Sequence, residues 1–233
     1  MTAETPITNG CILLFVKSPE QAPVKSRLAA DIGEEAAGEL YRNFVLDILE
    51  TLSGVTATMR CALHVCVHPP GALQQTRKWL GNDYRCLPQR GQNLGERMRN
   101  AFQAGFAEGY KRAVIIGSDT PDLTGEIITE GLRRLEHGEA VIGPAHDGGY
   151  YLIGFRSDTF LPAVFEDIPW STGDVFAATM KIFRQAKSDV AVLPPWRDVD
   201  TLSDLQDFRM RREKSSFADS RTMRCLRSRD GEK

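Results

Sequence analysis

No apolar run in this 233-residue chain approaches the ~20 residues needed to cross a bilayer, which excludes a helical membrane span. There is no C-x-x-C, and the five cysteines (Cys11, Cys61, Cys66, Cys86, Cys225) are odd in number and scattered, so neither a disulfide framework nor a zinc site is expected. Neither a Walker A loop nor a G-x-G-x-x-G occurs, which reads against P-loop ATPases and dinucleotide-binding dehydrogenases. The polar start lacks a basic stretch followed by an apolar core, so no leader peptide and a cytoplasmic location are expected. Net charge is only −2, but nine Lys/Arg against four Asp/Glu fall between Arg209 and Lys233. The body is therefore mildly acidic, which excludes a general nucleic-acid surface. Residues 213–233 read as a basic, loose tail on a single domain over residues 1–212.

What is present is ordinary globular material: 42% apolar and 26% charged residues, enough for a sizeable core. Strand-like and helix-like segments alternate, predicting an α/β sandwich with a mainly parallel sheet. Apolar runs at 11–16, 61–67, 84–87, 113–117, 140–142, 150–155 and 189–193 read as strands. Stripes at helical spacing through Leu40, Phe44, Ile48 and Leu52, and through Leu94, Met98, Phe102 and Phe106, read as helices. Helices are also expected over 71–80, 127–135, 173–186 and 202–212. Residues 140–142 and 150–155 are joined too closely for a crossover helix, so they predict an antiparallel pair and a mixed sheet.

Chemistry concentrates in short loops at strand ends, where open α/β sheets bind ligands. Lys17, Lys25 and Arg27 gather three cations in a proline-stiffened loop after the first strand, as phosphate binding requires. Asp119 follows the Val-Ile-Ile run by way of Gly117-Ser118, and a carboxylate at that strand end is costly unless bonded or bound to a cation, so we expect it to hold a metal. Asp122 reads as an Asx-turn. Asp147-Gly148-Gly149 reads equally as a hairpin turn and as room for a substrate. Asp198 and Asp200 alternate with Val199, so in extended backbone both carboxylates point one way and are free for a cation. Thr201 with Asp204, Asn93 with Glu96 and Ser171 with Asp174 read as helix caps. His64, Cys66 and His68 share a strand face but are too far apart to take one metal together.

The motifs have a collective likeness. The first loop, the Gln89–Met98 stretch ending Asn93-Leu94-Gly95-Glu96-Arg97-Met98, Gly117-Ser118-Asp119-Thr120-Pro121-Asp122, Gly143–Gly154, Pro169-Trp170-Ser171-Thr172 and Pro194-Pro195-Trp196-Arg197-Asp198-Val199-Asp200-Thr201 occur in the same order as in the bacterial radical-SAM/selenodomain-associated transferases. That family belongs to the nucleotide-diphospho-sugar transferase superfamily with the glycosyltransferase-A fold, and is similar to the guanylyltransferases of deazaflavin and molybdenum cofactor synthesis. The resemblance covers about residues 11–208. It implies a Rossmann-like three-layer α/β/α sandwich, with a nucleotide over the first half of the sheet and a small-molecule acceptor over the second. It further implies that Lys25 and Arg27, with Lys17 nearby, meet phosphates. Asp119 with Asp200 or Asp198 would hold Mg2+ (or Mn2+). Lys25, Asp119 and Asp200 would form the catalytic set, and Asp147-Gly148-Gly149 and Trp170-Ser171-Thr172 would border the acceptor. Two departures stand out: the usual Pro-Glu-Pro-Gly turn reads Pro19-Glu20-Gln21-Ala22, and the usual aspartate before Leu-Gly-Glu-Arg is Asn93. The expected activity is nucleotidyl transfer, with glycosyl transfer from a nucleotide-sugar as the alternative. A nucleotide-binding protein without turnover is the second alternative.

Overall fold

The computed structural model describes residues 9–230. The polar start read against a leader (residues 1–8) and the last three residues of the basic end lie outside the described residues. Seven strands make one sheet: β1 Gly10–Lys17, β2 Ala62–His68, β3 Arg85–Pro88, β4 Arg112–Ile116, β5 Ala140–Pro144, β6 Tyr150–Arg156 and β7 Val190–Val192. Their order is β3-β2-β1-β4-β6-β5-β7. β6 runs antiparallel to both of its neighbours, and the remaining pairs are parallel. The sheet is thus mixed and mostly parallel, as the short β5–β6 connection requires.

Both faces of the sheet are covered, which is why β1 is apolar throughout rather than alternating. Ile12, Leu14 and Val16 face one core, with α2 Glu34–Met59, α3 Leu73–Leu80 and α5 Gly125–Arg134. Cys11, Leu13 and Phe15 face the other, with α4 Leu94–Ala107 and α6 Val175–Ala186. The result is a three-layer α/β/α sandwich.

A third apolar cluster lies outside these layers, between α1 Ser26–Ile32, α2, α7 Leu202–Arg212 and α8 Arg221–Asp230. It corrects the expectation of a loose tail: residues 221–230 form a helix docked on α2, with Met223 and Leu226 buried. Charge counting misled because two of the four arginines of α8 meet acids of α2. Arg221 pairs with Glu50, and Arg229 with Glu39. Buried Asp47 of α2 also accepts the backbone N–H groups of Arg221 and Thr222, each at 2.9 Å, satisfying free donors at the start of α8. Asp47→Ala is expected to cost about 1–2 kcal/mol, as loss of a cap does. Hydrogen exchange should locate the damage: α8 amides lose protection while β1 amides keep theirs. Uniform loss, or none, would contradict this role.

Candidate active site at the strand ends

The site is assembled where β1, β4 and β5 end. After β1 the chain turns through Pro19–Pro23 and reaches Lys25 in the left-handed region (φ 49°), a conformation disfavoured by roughly 1–2 kcal/mol for a residue with a Cβ. The turn brings the lysine stem onto the third apolar cluster, with Nζ 5.7 Å from the Phe44 ring centre. The Lys25 side chain is 2% exposed, and Nζ is bonded to both Asp119 and Asp200, the latter at 2.8 Å. Burial alone would lower the Lys25 pKa, but the two carboxylates outweigh it and hold the ammonium charged. Arg27 reaches the other Asp200 oxygen at 3.1 Å. Burial pushes Asp200 up, yet Lys25 and Arg27 hold its carboxyl below the ordinary range.

The segment carrying Asp200 is zipped between two loops. Trp196 donates its N–H to Pro144 and returns its carbonyl to His146, while Val199 donates to the Asp119 carbonyl at 3.0 Å. Extended backbone then buries Val199 completely and presents Asp198 and Asp200 to the cleft. One oxygen from each of Asp147, Asp198 and Asp200 lies within 4.8 Å of the others. Burial, then the neighbouring Asp147 and Asp200 charges, pushes Asp198 up to about 6. Three oxygen donors at this spacing, with repulsion among them to relieve, fit a hard divalent cation with ligands at roughly 2.0–2.6 Å. Around them lies an open cleft of about 260 Å³, lined by Arg27, His146, Arg197, Asp204 and the trio.

The expected residues are therefore only partly gathered. Lys25, Arg27, Asp119, Asp198 and Asp200 converge. Asp119, however, stands across the Lys25 ammonium and is not one of the trio; Asp147, read as a neighbour of the acceptor, is. Within its hairpin the Asp147 carboxylate accepts the Gly149 N–H at 2.8 Å, so the turn and a part in the cleft coexist. Gly148 does not leave room for a substrate. Its φ is +89°, and a Cβ there would meet the Gly173 carbonyl at 2.0 Å, so the glycine lets the 166–173 loop pack against the hairpin. Trp170 lies against Gly95 and Tyr150 and lines a separate cleft of about 350 Å³ with Arg99 and Glu166, while Ser171 and Thr172 are exposed.

Two structural readings need correction. Asp122 is not an Asx-turn: its side chain is 1% exposed and accepts from Trp196 Nε1 at 3.0 Å and from Arg212 and Arg211 of α7. Ser171 does not cap α6, because it takes a left-handed φ of 67°; Asp174 is the flanking residue, and its N–H meets the Thr172 hydroxyl. The caps at Thr201 and Asn93 are present as expected. Arg197 and His146 were not assigned a role from sequence, although Arg197 directly precedes Asp198 in the motif.

A mixed sheet of this order, with acidic and basic loops meeting at its strand ends, defines the nucleotide-diphospho-sugar transferase and nucleotidyltransferase class of α/β fold. A provisionally assigned nucleotide-diphospho-sugar transferase from Desulfovibrio desulfuricans G20 matches with a TM-score of 0.90 and 43% identity, over 97% of this chain and 96% of its own. The chain belongs to the DUF2064 family, described as uncharacterized protein conserved in bacteria, whose sequence profile matches residues 51–172. Two more distant structures share the fold alone. One is a nucleotidyl transferase from Methanothermobacter thermautotroptrophicus (TM-score 0.58, 12% identity, 87% of this chain and 96% of that one). The other is a CMP:2-keto-3-deoxy-manno-octonic acid synthetase complexed with CTP (0.53, 11%, 87% and 97%). No curated protein matches the chain.

Proposed function

We propose that this chain is a metal-dependent transferase acting on an activated nucleotide, and that it transfers a nucleotidyl group to a small phosphorylated or carboxylate acceptor. The observation that carries the reading is the double use of Asp200. One carboxylate belongs both to the oxygen trio and to the Lys25–Arg27 cation pair. On this reading, sites for a cation and for phosphate oxygens lie side by side. A Mg2+ or Mn2+ ion held by Asp147, Asp198 and Asp200 would supply charge neutralisation at the α-phosphate. Lys25 and Arg27 would hold the phosphate chain in line, Lys17 would add charge at the rim, and Arg197 and His146 would orient an anionic acceptor across the cleft. An acceptor oxygen then bonds to the α-phosphorus, the bond to the bridging oxygen breaks, and pyrophosphate leaves. Catalysis on this reading is positioning and charge placement. The motif likeness adds a narrower membership, the radical-SAM/selenodomain-associated transferases, which we include in the proposal.

The description of the 43%-identical relative favours a second reading, glycosyl transfer from a nucleotide-sugar, in the same cleft. A binding protein without turnover draws less support, because both departures from the family motif are accommodated. Asn93 caps α4 by accepting the Glu96 N–H at 2.9 Å, as an aspartate would. Ala22 closes its turn on the Ser18 carbonyl at 2.9 Å and is not among the described residues with positive φ. Incubation with Mg2+, each NTP and phosphorylated or carboxylate acceptors should release pyrophosphate. Release of nucleoside diphosphate from nucleotide-sugars instead would select glycosyl transfer. Tight nucleotide binding with neither product would leave the binding role alone.

A further inference from the structure

Beside the carboxylate site, at the ends of β1 and β2, the charges of Lys17 and Arg97 act on His68, and none of the three makes an ion pair among the described residues. Lys17 and His68 are register partners on parallel strands. Arg97 arrives from the first turns of α4, brought over the strand ends by Gln89, whose side-chain amide donates to the Val16 and Cys66 carbonyls at 3.3 and 2.8 Å. The loop between them packs tightly on the start of α4: Gly91 has φ +138°, and a Cβ there would lie 2.8 Å from the Arg97 backbone nitrogen. The nearest carboxylate in sequence, Glu96, is committed to the loop, accepting from the Gln92 N–H at 2.8 Å and from Asn93.

Two buried atoms here lack any hydrogen-bond partner, Arg97 Nε and His68 Nδ1. A desolvated guanidinium edge normally finds an acceptor, because leaving it unmade is costly. The surroundings are electropositive as well: burial, then the Arg97 and Lys17 charges, holds the His68 pKa below its ordinary value. The Lys17 charge also helps to hold the Asp200 carboxyl down, so the two groups stand within electrostatic reach of each other.

We infer that Arg97, His68 and Lys17 form a second phosphoanion subsite, taking a phosphoryl group of the nucleotide away from the carboxylate trio. The inference rests on the nucleotide reading above and deepens it, but it requires no metal and no turnover. Arg97 would donate through Nε and one terminal nitrogen, the two-point geometry that suits phosphate. His68 would donate from Nδ1.

Titration calorimetry with inorganic triphosphate, in buffer stripped of divalent cations, favours this subsite, because Lys25 is already paired with Asp119 and Asp200, and Arg27 with Asp200. Wild-type protein should bind, and Arg97→Gln should weaken binding at least tenfold. His68→Asn should weaken it several-fold. Arg99→Gln removes an equal charge from the same helix, but that arginine pairs with Glu166 and should change nothing. Should Arg97→Gln melt early, Arg97→Lys keeps the charge without the Nε–H and should still lose at least threefold. Absence of triphosphate binding by wild type, or equal weakening by Arg97→Gln and Arg99→Gln, overturns the subsite. Triphosphate binding through Arg97 in a protein that transfers nothing would sink the transferase reading while the subsite stands.

Discussion

Asp200→Asn is expected to reduce metal-dependent turnover by ~100–1000-fold, the loss typical when one preorganised charge aimed at a reacting phosphate or carbonyl is removed. The fold should survive, because the change relieves repulsion within the trio and leaves Lys25 its bond to Asp119. Two functions weaken at once: the trio loses a charged ligand, and Lys25 and Arg27 lose the shared negative charge, the amide keeping one oxygen where the carboxylate had two. Asp119→Asn leaves the trio whole and should act only through Lys25, with a smaller loss and little change in metal requirement. Activity against metal concentration for both variants checks this. If Asp119→Asn raised the metal requirement and Asp200→Asn did not, Asp119 would be the principal ligand.

The largest loss of stability is expected from Asp122→Ala. Removing one partner from a buried ion pair typically costs ~3–5 kcal/mol, and here the partners Arg211 and Arg212 are 30% and 21% exposed, which points to the lower end of that range. The Trp196 indole also loses its acceptor. Asp122→Asn keeps an acceptor for Trp196 without the charge and should fall between the alanine variant and wild type. Denaturant titration supplies the comparison. A loss for Asp122→Ala below about 1 kcal/mol, the scale of an ordinary surface pair, would refute the clasp.

These two aspartates also show how much could be read from sequence. The sheet, its one antiparallel interruption and both main cores follow local rules. Parallel strands need a crossover of helix length between them, and Ala140–Pro144 and Tyr150–Arg156 are too close to have one. The alternation Asp198-Val199-Asp200 fixed which side chains would face the cleft, and the structure buries Val199 accordingly. Asp119 and Asp122 were not separable on such grounds. They sit three residues apart in a polar loop, and their difference comes from Lys25, Arg211 and Arg212, supplied by remote segments. Asp147 was read equally as a turn and as room for a substrate; the turn is there, and its place beside Asp198 and Asp200 depends on the Trp196–Asp200 segment lying alongside. The C-terminal helix was missed because net charge describes a segment in water, whereas Arg221 and Arg229 of α8 face Asp47, Glu50 and Glu39. The orphaned Nε of Arg97 leaves no mark in sequence, since an arginine's lack of an acceptor is a property of its surroundings.

The bond between Lys25 and Asp200 joins residues 175 positions apart. During synthesis the lysine is therefore complete long before its second counter-charge exists. A growing polypeptide can lay down most of the sheet and Asp119, yet it cannot close the two-sided clasp on that ammonium, or give Arg27 its partner, until residue 200 has left the ribosome. A prematurely terminated product would carry both cations with only Asp119 to meet them.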